Sequence, residues 1–208
     1  MRVNDDLNPF VNKNNVQALI LAGGQSRRLD GIDKGLLEVQ QQPLIRHVVN
    51  TLNQQLSSVC VSANRSLTAY KQFAPTVVLD ETPDFPGPLA GIAAFSEVAT
   101  SPWIAIVACD LIFLPDDWVN RLLSTALSTT RRVVCASDKA SGKHALCAIA
   151  RRECLASASV LLRSGRHRWV DWLEHNEAGT ELFDTELLFN INTPEDAKKA
   201  KILFKNKS

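Results

Sequence analysis

The sequence predicts a Rossmann-like α/β fold, a three-layer sandwich with a mostly parallel sheet and a mixed C-terminal half. Short apolar runs of strand length, Val16 to Leu21, Ser58 to Ala63, Thr76 to Leu79 and Trp103 to Cys109, alternate with segments of helical apolar spacing, as repeated βα units do. The runs are apolar at nearly every position, which is how strands covered on both faces read. The first run turns on Gly23 and Gly24, and the others give way to Asn64, Asp80 and Asp110.

Taken in order, residues 1 to 15 read as an Asn- and Asp-rich N-terminal tail without the apolar core of a secretory signal. The first strand follows. Glu38 to Gln42 is a polar turn, and Pro43 opens a helix on which Leu44, Val48, Leu52 and Leu56 share one face. Past the second strand, Asn64-Arg65 turns the chain, Leu67 to Phe73 reads as a short helix and Thr76 to Leu79 as a strand. Asp80 to Pro88 is too rich in Pro and acid for regular structure and leads into a helix from about Leu89 to Val98. Trp103 to Cys109, the most apolar run, is the expected central strand. Pro115 then opens a helix with Asp116 and Asp117 near its start, where the helix dipole favours acids. In the second half Arg132 to Ser137 and His144 to Ala150 form a hairpin-like pair. Helices cover about Arg151 to Arg163 and Arg166 to Glu174, and Glu181 to Phe189 gives two short strands. Thr193 caps the last helix, with Pro194 first and Asp196 third within it.

Composition excludes several classes. Lys plus Arg total 23 against 22 for Asp plus Glu, so no global field recruits nucleic acid or an anionic membrane, and any anion site is local. No apolar stretch approaches the ~18 residues a membrane span needs. The five cysteines are odd in number and form no C-x-x-C pair, which reads as reduced core residues of a cytoplasmic protein rather than a disulfide frame or zinc site.

The stretch Gln17 to Gly35 carries the chemistry. Gly23 and Gly24 lack a Cβ, so the backbone can take positive φ and present N–H groups to an anion. Arg27, Arg28 and Lys34 add cations suited to a triphosphate. It is not a Walker loop, because Gly35 follows Lys34, nor a dinucleotide fingerprint, because Gly-x-Gly-x-x-Gly is absent. A glycine turn with solvated cations is the bland alternative. Asp110, at the tip of the most apolar strand, is placed to hold a divalent ion against phosphate; an Asp that only forms a turn is its alternative, as it is for Asp80.

The run Leu21-Ala22-Gly23-Gly24 through Arg28 to Lys34 resembles the signature of nucleotidyltransferases that activate a sugar or cofactor with a nucleoside triphosphate, and with Lys34-Gly35-Leu36-Leu37 it looks most like the molybdenum cofactor guanylyltransferases. Phe85 to Gly91 and Asn190-Ile191-Asn192-Thr193-Pro194 resemble two further segments of that family. The resemblance spans roughly residues 16 to 200 and implies a nucleotide-diphospho-sugar transferase-like fold, with residues 16–208 as one domain. In it about 16–130 bind nucleotide and about 131–208 bind acceptor. It implies that Arg28, Lys34 and Asp110 are catalytic, that Leu21, Ala22, Gly23, Gly24, Arg28, Lys34, Asp80, Gly87 and Asp110 bind nucleotide, that Asp110 holds Mg²⁺, and that Asn190 and Asn192 face the acceptor. GMP would pass from GTP to Mo-molybdopterin. The expected chain is a monomer with no nucleic-acid or membrane partner, making transient contact with other cofactor-biosynthesis proteins or apoenzymes.

The departures are Asp30 for a usual Gly, Leu29 for Met, Ser62 for Asn in some relatives, and Ala145 after His144 where the family has Pro. Arg163 to Arg168 is a basic cluster suited to a second phosphorylated ligand or to solvent. A sister enzyme using CTP or a sugar phosphate, and a non-catalytic nucleotide-binding module, are the competing readings. Gly24, where cytidylyl relatives tend to have Ala, leans toward guanine.

Overall fold

Side chains alternate between the two faces of a strand, so apolar runs of this kind need helices on both sides. The computed structural model describes residues 15–23, 33–79 and 87–207. In chain order it contains β1 (Val16–Leu21), β2 (Glu38–Val39), β3 (Gln42–Pro43), α1 (Leu44–Gln55), β4 (Val59–Ser62), α2 (Leu67–Tyr70), β5 (Thr76–Val78), α3 (Pro88–Ser96) and β6 (Trp103–Ala108). The second half adds α4 (Trp118–Ser128), β7 (Val133–Asp138), β8 (His144–Arg151), α5 (Ala156–Arg163), α6 (Trp169–His175), β9 (Gly179–Phe183) and α7 (Pro194–Lys207).

One sheet runs through both halves in the order β5-β4-β1-β6-β8-β7-β9. It is parallel throughout except that β8 opposes both β6 and β7. This is the expected mostly parallel sheet with a mixed C-terminal half. Ala18, Ile20, Val61, Ala105, Val107 and Ile149 pack on one face with α1, α4 and α7. Leu19, Cys60, Ile104, Ile106, Cys135 and Ala148 pack on the other with α3, α5 and α6. Odd and even positions of β1 thus enter different core layers, as the period of two requires. The chain leaves β1 toward β4 and β5, then returns to β6 on the far side of β1. That reversal opens a crevice at the C-terminal ends of β1 and β6, where ligands of open α/β sheets bind.

Most elements stand where the sequence put them, and the differences have local causes. Pro43 precedes α1, with φ −65° and ψ 148°, because it pairs with Glu38 in the β2–β3 ribbon. Gln40 and Gln41 turn that ribbon at φ 53° and 59°, the left-handed pair that a two-residue hairpin demands. α4 begins at Trp118 rather than at Pro115, so Asp116 lies outside it and Asp117 is its N-cap without a side-chain cap bond. Residues Leu111 to Leu114 are buried and hold the chain to the core until Trp118 can seat. α6 begins at Trp169, after Gly165 at φ 77° has closed α5, and Asp171 accepts from the Arg168 N–H at 3.3 Å. The two strands expected over Glu181 to Phe189 are one strand, β9, paired with β7, and a short 3-10 turn at Thr185–Leu188. The start of α7 is as read: the Asp196 N–H donates to Thr193 Oγ1 at 3.1 Å, and Asp196 Oδ2 accepts from the Asn192 and Thr193 N–H groups, each at 3.0 Å.

All five thiols are free and buried. Burial pushes Cys60 and Cys135 up to about 12 and raises Cys109, Cys147 and Cys154 above the usual thiol range, so all are poor nucleophiles. Among the described residues no helix is long and apolar enough to cross a membrane.

Two stability predictions follow from the packing. A Cβ on Gly91 would stand 2.5 Å from Ser62 Oγ and 2.7 Å from Leu21 Cδ2, so α3 can lie this close to β1 and β4 only without a side chain. Gly91→Ala should destabilise by roughly 1–3 kcal/mol, and Ser62→Ala in that background should recover part of it, both read from denaturant midpoints. Burial raises the Asp196 carboxyl, but its hydrogen bonds from Asn192 and Thr193 outweigh that and hold it below the usual carboxylate range. Its contribution is therefore complete above the unfolded carboxyl value of about 3.9 and fades as pH falls through the lower folded value. Asp196→Ala should cost about 0.5–2 kcal/mol at neutral pH, with the gap to wild type closing in acid unfolding curves.

Candidate active site

The crevice is built by strand register. Leu21 stands beside Ala108, and the pairing continues one step beyond both strands, with Cys109 N–H donating to Leu21 O at 3.1 Å and Ala22 N–H donating to Ser62 O at 2.8 Å. Gly23 and Asp110 therefore leave neighbouring strands at the same edge. Between them lies a cavity of about 250 Å³, with Leu21, Ala22 and Gly23 on one wall and Ala108, Cys109 and Asp110 on the other. Lys34, Leu146 and Asn190 complete the lining.

Asp110 is 5% exposed, and its Oδ2 takes a salt bridge from Lys34 Nζ. The same ammonium donates to Asn192 Oδ1 at 2.7 Å. One lysine thus joins the segment after β1, the tip of β6 and the turn before α7. Lys34 starts a 3-10 turn, Lys34–Leu36, in which Leu36 N–H donates to Asp33 O at 2.9 Å. Its side chain is only 22% exposed, against the alternative of a solvated cation: a buried carboxylate needs a partner, and the partner is drawn in with it.

Beside Lys34, Asp33 is buried at 8% exposure and accepts from the hydroxyl of the fully buried Tyr70, with Arg65 Nε 3.6 Å from its other oxygen. Burial foremost, together with the bond to Asp33 and that carboxylate's charge, pushes the Tyr70 phenol far up, leaving it a neutral donor.

Of the expected site residues, Leu21, Ala22, Gly23, Lys34, Asp110 and Asn190 line one cavity, and Asn192 reaches it through Lys34. Gly23 does not take a left-handed φ; among the described residues its missing Cβ would meet nothing nearer than Asn64 Nδ2 at 3.7 Å. Gly87 does need to be glycine, at φ 85° with a Cβ position 3.2 Å from His167 O. Gly24, Arg28 and Asp80 lie outside the described residues, as do Arg27, Leu29, Asp30, Phe85 and Pro86. The basic cluster before α6 turns partly to acids on that helix: Arg166 lies 3.6 Å from Asp171 and 3.7 Å from Glu174, and Arg168 lies 4.0 Å from Asp171. His144 Nδ1 pairs with Ser137 Oγ at 2.7 Å.

Sequence reasoning passed over Leu146, Asn64 and the Asp33–Tyr70–Arg65 group. Asn64 had a usable signal, since it directly follows the C-terminal end of β4, the ligand edge of the sheet. Leu146 had none, because an apolar residue in an apolar strand looks like core.

Asp110 brings a hard carboxylate donor to the lining of the cavity. Among the described residues no group of three or more His, Cys, Asp or Glu gathers to hold a metal. That donor set fits a cation such as Mg²⁺, which takes one or two protein carboxylates and finds its other ligands in water and substrate phosphates.

Comparison with known proteins identifies the family. A family model described as "MobA-like NTP transferase domain" matches residues 18–178. The molybdenum cofactor guanylyltransferase of Polynucleobacter asymbioticus is 35% identical over 193 residues, 91% of this chain and 97% of that protein. That of Vibrio atlanticus is 37% identical over 182 residues, 86% of this chain and 91% of that protein. Among solved structures, molybdopterin-guanine dinucleotide biosynthesis protein A from Archaeoglobus fulgidus shares the fold at a TM-score of 0.73, covering 91% of this chain and 99% of its own, with 20% identity. With the family model spanning most of its length and relatives above 30% identity spanning nearly all of it, the chain belongs to the molybdenum cofactor guanylyltransferases of the MobA-like nucleotidyltransferase family.

Proposed function

We propose that this nucleotidyltransferase moves GMP from GTP to the terminal phosphate of molybdopterin-bound molybdenum, forming the guanine dinucleotide cofactor and pyrophosphate. The observation that supports it best is the Lys34 ammonium between Asp110 and Asn192, because it draws a phosphate-binding segment, a metal-capable carboxylate and the proposed acceptor turn to one cavity edge. The first half of the chain, about 16–130, would hold the nucleotide, and about 131–208 the acceptor. Five buried free thiols fit a reducing, cytoplasmic setting.

An acceptor phosphate oxygen attacks the α-phosphorus of GTP, a new P–O bond forms, and the bond to the β-phosphate oxygen breaks to release pyrophosphate. The acceptor phosphate is already ionised near neutral pH, so the site needs no strong base. Its work is to bring anions together and offset their charge. Lys34, with Arg28, binds phosphate oxygens as point and forked donors. The backbone of Ala22, Gly23 and Gly24 approaches the triphosphate, Asp80 and Gly87 border the nucleoside, and Asn190 and Asn192 face the pterin phosphate. Asp110 would hold Mg²⁺, which when bound supplies positive charge against the phosphate oxygens. Leu21 and Leu146 would give the crevice an apolar part of its lining.

Two variants test this reading. Asp110→Asn keeps the shape and leaves Lys34 able to turn to solvent, so the fold should survive while the half-saturating Mg²⁺ for guanylyl transfer rises and the rate falls. A wild-type rate at an unchanged Mg²⁺ requirement would remove the metal role. Lys34→Ala forfeits a charged contact to phosphate of about 1.5–3 kcal/mol, roughly ten- to hundredfold in turnover. It should also destabilise on the order of 1–2 kcal/mol, less than the figure for a fully buried pair because the cavity admits water, since it leaves Asp110 without its cation. A melt that falls while turnover per folded molecule holds would make Lys34 structural.

A further inference from the structure

Asp33 occupies the N-cap position of the Lys34–Leu36 turn, yet its side chain makes no cap bond. The carboxylate instead runs inward, where Oδ1 accepts from the Tyr70 hydroxyl and Oδ2 faces Arg65 Nε at 3.6 Å. Oδ2 has no hydrogen bond among the described residues. An acid at 8% exposure is costly to keep unless its placement serves something, because an apolar side chain of similar size would fill the slot without desolvation.

The residue after Lys34 is gripped from the same side. Gly35 is buried, and a Cβ on it would overlap the Tyr70 hydroxyl, with the ring carbons Cε1 and Cζ only 3.1 and 3.2 Å away. Tyr70 is itself 0% exposed, so it cannot swing aside. Both chain neighbours of Lys34 are therefore fixed by one aromatic side chain on α2. The Lys34 backbone is closed from the other direction by Leu37 N–H donating to Lys34 O at 3.1 Å.

The turn after β4 supplies the rest. Arg65 faces Asp33, and the adjacent Asn64 side chain stands by Gly23. Gly23 and Asp33 thus both stand against two consecutive residues of one turn. A side chain whose backbone is already fixed loses less freedom when it binds a ligand.

We propose that Tyr70 and Arg65, acting through Asp33, are positioning residues for nucleotide binding: they clamp the backbone on both sides of Lys34 so that its ammonium stands over the cavity beside Asp110. They touch no substrate, and their effect passes through Lys34. This rests on the reading of Lys34 as a phosphate ligand.

The test is a cycle of GTP binding with Mg²⁺, measured calorimetrically on the full chain for wild type, Tyr70→Phe, Lys34→Ala and the double variant. Tyr70→Phe keeps the ring in its slot and removes only the hydroxyl. It should weaken GTP about five- to tenfold, less than the roughly ten- to hundredfold worth of a direct hydrogen bond to a charged group because the effect reaches the ligand only through Lys34, with unchanged binding stoichiometry. In the Lys34→Ala background the same change should have almost no effect, because interacting residues are not additive. Gly35→Ala should weaken GTP as well, and adding Tyr70→Phe should restore part of that, since the hydroxyl is what the new methyl meets.

A residue that only supports the fold would behave differently, reducing the fraction of competent sites at unchanged affinity and adding its effect to Lys34→Ala. Either result, or wild-type affinity in Tyr70→Phe, overturns the clamp. If Lys34→Ala alone binds GTP as wild type does, the phosphate role of Lys34 fails first and the clamp with it. Should Tyr70→Phe not fold, Arg65→Gln enters the same cycle from outside the core: a loss of affinity that disappears without Lys34 supports the clamp, and an additive loss or none overturns it.

Discussion

A buried carboxylate at the end of a buried strand needs a cation, and Asp110 has Lys34. Asp110 cannot move far, because β6 lies in the middle of the sheet, with β1 on one side and β8 on the other. Lys34 must therefore come to it from the segment that follows β1. The sheet register makes this possible, since Leu21 and Ala108 are neighbours and both strands end at the crevice. The apolar core thus does more than stabilise; it sets the point in space where opposite charges have to meet. Under the proposed function a nucleotide with its metal would use both groups, since each is charged and lines the cavity.

The third partner, Asn192, belongs to the last part of the chain. Its position follows from the start of α7, where Thr193 and Asp196 exchange hydrogen bonds and fix the turn that carries it. α7 in turn packs on the layer that contains α1 and α4. The site therefore draws on elements from both ends of the sequence, and neither half builds it alone. Small residues permit the close approaches: Gly91 lets α3 lie on β1 and β4, and Gly35 makes room for Tyr70.

The legible parts of this structure were those that depend on period or on a local pattern. Continuous apolar runs gave the strands of the parallel half, because burial on both faces leaves a signature in a few residues. The α1 stripe and the Thr193–Asp196 cap were readable for the same reason, and so was the trio Lys34, Asp110 and Asn192 as separate candidates. What was not readable was long-range. That Lys34 would leave solvent to pair with Asp110 depends on a contact spanning 76 residues, and the bond from Tyr70 to Asp33 spans 37. Neither residue pair has any local mark. The misplaced start of α4 has a related cause: Pro115 is a good first helical residue, but burial of Leu111 to Leu114 delays the helix. Over Glu181 to Phe189 the alternation of one half-buried strand runs into a 3-10 turn, and the apolar pattern alone does not separate them.

The central claim is that the crevice between β1 and β6 joins a guanylyl group to a phosphorylated pterin. The most direct measurement follows label from the α-phosphate of GTP into the acceptor, with pyrophosphate counted alongside and CTP run in parallel. The account predicts Mg²⁺-dependent transfer from GTP to molybdenum-loaded molybdopterin, one pyrophosphate for each label transferred, with CTP a much poorer donor. Equal transfer from CTP, or GTP binding without transfer to the acceptor, would contradict it.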